Sequence, residues 1–158
     1  MTVPPAFRPV PVVVMALLAV ATVVRAQERA ITRADLPAPV AQAIVTQSQG
    51  ATLRGLAEER EDGQIFYEAE LLAGNLTRDV LFDSAGTVVE VEQQFPLDSI
   101  PPAVRSALET RAGQGTILRV ESLTRRGILV AYEAQVKTNG KRSEIQVGPA
   151  GEALAHEE

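Results

Sequence analysis

The protein has 158 residues, a net charge of −5 and no cysteine. Its 20 acidic residues outnumber 15 basic ones, which argues against nucleic acid and anionic lipid headgroups as partners, because both attract Lys and Arg. Without cysteine the chain forms no disulfide, so its stability must come from its apolar core.

Residues 1–26 have the layout of a secretory signal peptide. Arg8 precedes an apolar run from Val10 to Val24, and the small residue Ala26 ends the segment. The run has about 15 residues, whereas a helix needs about 20 to cross a bilayer. We expect cleavage near Ala26, a periplasmic or secreted location, and no membrane contact after the leader is removed. An uncleaved N-terminal anchor is the alternative.

Two segments of similar sequence predict helices. A linker over residues 27–34 is expected before the first of them. The segments are DLPAPVAQAIVTQ from Asp35 and DSIPPAVRSALETR from Asp98. Each begins with an acidic residue and proline, which favour a helix start, and is followed by glycine, which favours its end. The residues that share one apolar face are Val40, Ala43 and Ile44 in the first segment and Val104, Ala107 and Leu108 in the second.

Alternating apolar and polar residues follow each helix and predict half-buried β-strands. In IFYEAEL, Tyr67 belongs to the apolar set, while Glu68 and Glu70 point to the opposite face. VAYEAQV repeats this division, with Tyr132 on the apolar side and Glu133 on the other. Each strand therefore belongs to a sheet with one face on a core and one face in water.

Turn signals and weaker strand patterns complete each half of the chain. The turns are Asp62-Gly63, Gly74-Asn75, Asp83-Ser84-Ala85-Gly86 and Asn139-Gly140, all typical of short connections between antiparallel strands. Further strands are expected at Leu53–Glu59 and Leu118–Leu123, and a closing strand at Thr87–Glu92. In the second half only Ala153 and Leu154 suit a closing strand, which is expected to be short or frayed.

The two halves align with each other at a shift of 64 to 65 residues. Tyr67-Glu68-Ala69 then falls on Tyr132-Glu133-Ala134, and Ala85-Gly86 falls on Ala150-Gly151. We interpret this as a duplication, with one repeat at 35–95 and a second at 96–155. The predicted fold class is α+β: two tandem repeats, each a helix followed by a three- to four-stranded antiparallel sheet. The strands either join in one long sheet or pack as two halves.

These signature residues resemble the PepSY domain. The resemblance is carried by Tyr67, Tyr132 and Glu133 before the hairpin turns, and by Gly86 and Gly151 in the small-Gly turns. The tandem, exported form is similar to PepSY-like proteins related in fold to beta-lactamase inhibitor proteins. The resemblance implies a non-catalytic protein-binding module, a regulator or inhibitor of an envelope peptidase or of another envelope protein. The five signature residues are expected to be structural.

The residues offer little for catalysis. The single histidine, His156, is the third residue from the C-terminal end, where chain ends commonly fray, and nucleophilic catalysis most often needs a histidine base. We therefore expect no enzyme, no catalytic residues, no cofactor and no metal site. Carboxylates such as Glu68 and Glu70 could bind calcium through oxygen, so a small-molecule or calcium-ion binding or sensing protein is the alternative function. Solvated charge is the simpler interpretation of these two residues.

Acidic residues concentrate in the first half of the chain. Residues 27–95 contain 12 acidic and 5 basic residues, whereas residues 96–158 contain 8 of each. We expect the solvent-facing strand surface of the first half to contact a basic partner, another envelope protein or peptide. Neutral drift on a solvated sheet is the alternative, and the oligomeric state is left open. The candidate surface consists of Glu68, Glu70, Asp79, Glu90 and Glu92.

Overall fold

The structure is a computed structural model that describes residues 27–155. The expected leader and His156 lie outside the described residues. The eight strands are β1 Gln27–Ala30, β2 Thr52–Glu61, β3 Gln64–Ala73, β4 Leu76–Asp83, β5 Val88–Phe95, β6 Thr116–Arg125, β7 Ile128–Thr138 and β8 Lys141–Val147. The helices are α1 Ala38–Gln47 and α2 Pro102–Ala112, and a 3-10 turn spans Arg33–Asp35.

All eight strands form one antiparallel sheet in which each strand pairs with the next in the chain. The β5–β6 pairing joins the two halves through six residue pairs, from Glu90 opposite Arg125 to Phe95 opposite Val120. The predicted fold class, two tandem repeats each with a helix and its own sheet, is therefore wrong. The protein is mostly β, with eight strands in one sheet and two α-helices among the described residues. Pairing β5 with β6 is favourable because it satisfies backbone groups that two separate sheets would leave exposed at their edges.

Local turn chemistry explains the hairpins. Asn139 and Gly140 have φ values of 51° and 82°, as both central residues of a two-residue type I′ turn require. Arg126 and Gly127 adopt the same conformation between β6 and β7, a turn that the sequence patterns did not single out. Arginine tolerates this conformation less readily than Asn or Asp, which explains why the pattern missed it.

Both helices pack on the same face of the sheet, over two apolar clusters. In the first cluster, Val40 and Ile44 of α1 lie with Tyr67 and Phe82 of the sheet. The second cluster places Val104 and Leu108 of α2 with Tyr132 and Val147, among other residues. Because side chains alternate along a strand, the residues between these core positions point to the opposite face, which we call the open face.

The helix starts differ from expectation in one respect. Asp35 caps the 3-10 turn and not α1, because its Oδ2 accepts hydrogen bonds from the backbone N–H and hydroxyl of Thr32, at 2.8 and 2.7 Å. Pro37 and Pro101 occupy the residue before each helix. The segment 27–34, expected to be a linker, contains β1, which pairs with β2.

Two glycines bring the turns after β4 and β8 against the helix starts. Gly86 has φ +81°, and a Cβ added there would lie 2.6 Å from the carbonyl oxygen of Pro39 in α1. Gly151 has φ +86° and is equally close to Ala103 of α2, at 2.7 Å. Both positions therefore need glycine for its conformation and for its lack of a side chain.

The turn after β8 differs from its counterpart in how its N–H groups are satisfied. The Asp83 carboxylate accepts the backbone N–H groups of Ala85 and Thr87, both at 2.9 Å. In the second half Gly148 stands at the corresponding position, and Glu152 from the other side of the turn accepts the N–H of Ala150 at 2.8 Å. A carboxylate therefore stabilises both turns, although the sequence patterns indicated it only in the first.

The chain after β8 forms no further strand within the residues that the structure describes. Ala153 and Leu154 lie in irregular structure. Three strands, β6 to β8, therefore follow α2, whereas four strands, β2 to β5, follow α1. Among residues 27–155, neither helix is long and apolar enough to cross a membrane.

Candidate functional site

The open face gathers the five carboxylates that the sequence singled out. Glu70, Asp79 and Glu92 lie directly opposite one another across β3, β4 and β5. A neighbouring row places Glu68 and Glu90 on either side of Leu81. The alternation of side chains along the strands and the antiparallel register together produce this arrangement.

A sixth carboxylate from β2 completes a shallow acidic recess. Glu59 lines a depression of about 90 Å³ together with Glu68, Asp79, Leu81, Glu90 and Glu92. We call the carboxylates Glu59, Glu68, Glu70, Asp79, Glu90 and Glu92 the acidic patch. In the described part of the chain both helices contact the opposite face, so the patch faces outward.

Sequence reasoning missed Glu121, a carboxylate of β6 at the border of this patch. It lies opposite Gln94 of β5 and opposite Glu133 of β7, which places it diagonally from Glu92. The alternation of side chains along β6 was readable from the sequence, but which residues surround Glu121 depends on the pairing of β5 with β6. That pairing joins residues about 30 positions apart, and no local pattern indicated it.

Burial and mutual repulsion destabilise the ionised form of the carboxyl groups in the patch. Desolvation, followed by the charges of Glu59 and Asp79, raises the pKa of Glu68 from 4.5 to about 7. Desolvation also raises the pKa of Glu92 to about 7, with Glu121 as the largest charged contributor. An apolar surrounding disfavours the ionised form of a carboxyl group, and nearby negative charges add to that effect.

The same causes act on the neighbouring carboxyl groups. Desolvation raises the pKa values of Glu59 and Asp79 above their ordinary values, with nearby carboxylates adding to the shift. Desolvation also raises the pKa of Glu121, although Arg119 opposes the change. These shifts show that ionisation of the patch is unfavourable, so a bound cation would stabilise it.

Two arginines compensate part of this negative charge from within the chain. Arg125 Nε lies 2.7 Å from Glu90 Oε2, and Arg119 Nη2 lies 3.0 Å from Glu121 Oε2. Both arginines belong to β6, at the border of the patch. Glu68, Asp79 and Glu92 form no ion pair within the described residues.

Three carboxylates of the open face form a close cluster. One oxygen from each of Asp79, Glu92 and Glu121 lies within 4.8 Å of the others. Asp79 Oδ1 and Glu121 Oε1 are buried and accept no hydrogen bond from any residue that the structure describes. We call this group the three-carboxylate cluster; it offers only oxygen ligands.

The signature residues occupy the other face or its edges. Tyr67 and Tyr132 are buried in the two apolar clusters, at 7 and 9% exposure. Gly86 and Gly151 contact the helix starts. Glu133 lies on the open face, where its Oε2 accepts a hydrogen bond from the Gln146 side chain at 2.7 Å.

The open face can attract and bind positive charge. No imidazole or thiol is present in residues 27–155, since the chain's one histidine is His156 and it has no cysteine. The groups that converge on the recess are carboxylates and leucine. Such a surface suits a basic protein segment or a hard metal cation.

Comparisons with known proteins identify the fold. No family model matches the chain, and no curated protein matches it. Among solved structures, it is similar to a protein named as periplasmic from Bacteroides eggerthii, with a TM-score of 0.63 and 21% identity over 75% of this chain and 86% of that one.

Two further solved structures have the same fold. A DUF2874 family protein from Bacteroides ovatus gives a TM-score of 0.59 and 19% identity over 75% of this chain and 84% of that one. A BLIP-like protein from Bacteroides fragilis gives 0.56 and 20% over 76 and 83%. The expected relation to the fold of beta-lactamase inhibitor proteins is confirmed, whereas nothing among these matches shows PepSY membership.

Proposed function

We propose that this protein is an exported, non-catalytic binding module whose acidic patch docks a basic segment of another envelope protein or peptide. The single observation that carries the proposal is the convergence of carboxylates from four strands, β2 to β5, on the face that the helices leave uncovered. An exported location is supported by the composition of residues 1–26 and by the name of the similar B. eggerthii protein.

Charge complementarity identifies the chemistry of the partner. The half-buried carboxylates repel one another, and a Lys- or Arg-rich segment would relieve that repulsion. Glu68 and Glu92 have pKa values of about 7, so docking of a cationic segment at neutral pH is expected to release protons. Surface charge of one sign also accelerates the encounter with a partner of opposite sign, an effect that salt weakens.

The proposed mode of action is coverage of the partner by a rigid surface. The similar B. fragilis protein is named BLIP-like, and an inhibitor of that kind acts by covering its target with a rigid complementary surface. Here the continuous eight-stranded sheet provides the rigid surface and the acidic patch provides specificity. Restraint of an envelope peptidase or of another envelope protein is the role that follows.

The test uses two double variants that remove the same charge from different places. Glu68→Gln with Glu70→Gln neutralises the patch. Glu109→Gln with Glu144→Gln neutralises two exposed carboxylates outside it. Envelope proteins captured by the wild type are purified, and their affinity for each variant is measured in chelator-containing buffer at about 50 and 200 mM salt.

We expect a captured partner with a basic segment to bind the patch variant at least tenfold more weakly than the wild type. The control variant should bind within about twofold of the wild type, and the difference between the two variants should shrink at the higher salt concentration. Equal affinity for both variants, or an equal loss in both, would refute the assignment of the patch as the docking surface.

A further inference from the structure

The three-carboxylate cluster is built from adjacent strands and shares Asp79 and Glu92 with the acidic patch. Asp79 of β4 is directly opposite Glu92 of β5, and Glu121 of β6 reaches the same point from the next strand. Three oxygens, one from each side chain, lie within 4.8 Å of one another. Rigid strands therefore position the oxygens, and no flexible loop is involved.

A second observation concerns how Glu121 is buried. The residue is 4% exposed, and the Arg119 guanidinium pairs with its Oε2 at 3.0 Å. Among the described residues, its other oxygen, Oε1, is buried and accepts no hydrogen bond, and the same is true of Asp79 Oδ1; the buried Nε of Arg119 also has no partner there. Buried polar atoms are almost always paired in folded proteins, so the two carboxylate oxygens are available to a positive ligand.

We propose that Asp79, Glu92 and Glu121 bind one divalent metal ion of the Ca²⁺ class. All three ligands are hard carboxylate oxygens, which Ca²⁺ prefers. Ca²⁺ binds oxygen at about 2.3–2.6 Å, so two oxygens on one ion lie at most about 5 Å apart. The three oxygens all lie within 4.8 Å of one another, so one Ca²⁺ ion can reach all three.

Other metals fit this ligand set less well. Mg²⁺ requires near-ideal octahedral geometry, keeps several waters and usually binds through one or two carboxylates, not through an all-protein set. Zn²⁺ sites are usually built from cysteine and histidine with few carboxylates. Neither of those residue types occurs in residues 27–155. Water is expected to complete the Ca²⁺ coordination.

Arg119 compensates part of the charge of the cluster. Its guanidinium pairs with Glu121 Oε2 at 3.0 Å, while Glu121 Oε1 has no hydrogen-bond partner among the described residues. One arginine charge faces three carboxylates, so a net negative charge remains for the metal. The proposed metal site shares Asp79 and Glu92 with the docking surface. The patch variant Glu68→Gln with Glu70→Gln changes none of the three ligands, so failure of one proposal can be distinguished from failure of the other.

The experiment is a calorimetric titration of the chelator-stripped protein with CaCl₂ at pH 7.5, repeated with MgCl₂. We expect single-site Ca²⁺ binding with a dissociation constant below about 1 mM, as in extracellular calcium modules or tighter. Asp79→Asn and Glu92→Gln should each weaken Ca²⁺ binding at least tenfold. Mg²⁺ should bind more weakly than Ca²⁺.

The matched control is Glu70→Gln, which removes a carboxylate directly opposite Asp79 on the same face but outside the cluster. Its Ca²⁺ affinity should stay within about threefold of the wild type. Absence of Ca²⁺ binding to the wild type would overturn the proposal, as would an equal loss in Glu70→Gln, which would indicate diffuse attraction of counter-ions.

Thermal unfolding with and without CaCl₂ keeps the test decisive if a variant is unstable. The wild type should melt at a higher temperature with Ca²⁺, because a ligand that binds only the folded state stabilises it. Asp79→Asn should lose this Ca²⁺-dependent increase, while Glu70→Gln should keep it. An equal increase in Asp79→Asn would refute its role as a ligand.

Discussion

Replacing Glu68 with glutamine should stabilise the protein at alkaline pH. Glu68 is half-buried in the recess beside Leu81, and burial together with the charges of Glu59 and Asp79 raises its pKa from 4.5 to about 7. A carboxyl group that resists ionisation in the folded state makes the ionised protein less stable. Glutamine has nearly the same shape and cannot ionise.

The magnitude follows from the pKa change of Glu68. Each unit of pKa difference between the folded and unfolded states corresponds to about 1.4 kcal/mol, so a change to about 7 gives an upper bound of roughly 3 kcal/mol. Because solvent still reaches this side chain and screens its charge, we expect about 1–2 kcal/mol of stabilisation for Glu68→Gln at pH 8.

The pH window of this effect is set by the two pKa values of Glu68. Above pH 7 the carboxyl is ionised in both the folded and unfolded protein, so the wild type carries the whole penalty. As pH falls from 7 to 4.5 the folded protein takes up a proton before the unfolded chain does, and wild-type stability rises. Below 4.5 both states are protonated, and the advantage of glutamine disappears.

Urea unfolding at pH 8, 6 and 4.5 in chelator-containing buffer measures this prediction. The free energy of unfolding of Glu68→Gln should exceed that of the wild type at pH 8 and match it at pH 4.5. Glu144→Gln, an exposed carboxylate on β8, serves as the control and should show a difference within about 0.5 kcal/mol at every pH. A Glu68→Gln difference that is constant with pH would refute the reasoning.

Two predictions concern the packing of the sheet against α1, and urea unfolding measures both. Gly86→Ala places a Cβ 2.6 Å from the Pro39 carbonyl oxygen at a positive φ, so we expect a loss of about 3 kcal/mol. Gly63→Ala, which has a similar φ but open space around it, should lose only about 1 kcal/mol; equal losses would contradict the close contact. Phe82→Ala empties a fully buried position and should cost about 3–5 kcal/mol. Phe95→Ala, at a position 36% exposed, should cost about 1 kcal/mol or less, and a comparable loss at both sites would contradict the assigned core.

Much of the local structure was readable from the sequence. The alternation in IFYEAEL and VAYEAQV correctly placed Tyr67 and Tyr132 on the core side, with Glu68 and Glu70 on the opposite face. Turn residues such as Asn139-Gly140 marked the hairpins, and the prolines and apolar stripes marked the helices. These features depend on neighbours within a few residues, where backbone preference and side-chain periodicity act directly.

The tertiary structure alone decided how the two halves combine. The sequence left open whether the strands join in one long sheet or pack as two halves. Pairing of β5 with β6 makes one sheet, and it places Glu121 next to Asp79 and Glu92. The three-carboxylate cluster therefore exists only because residues from three strands, up to about 40 positions apart, meet at one register. Strand register between distant segments depends on the whole hydrophobic and hydrogen-bonding pattern of the sheet, whereas the face to which a single side chain points is a local property of its own strand.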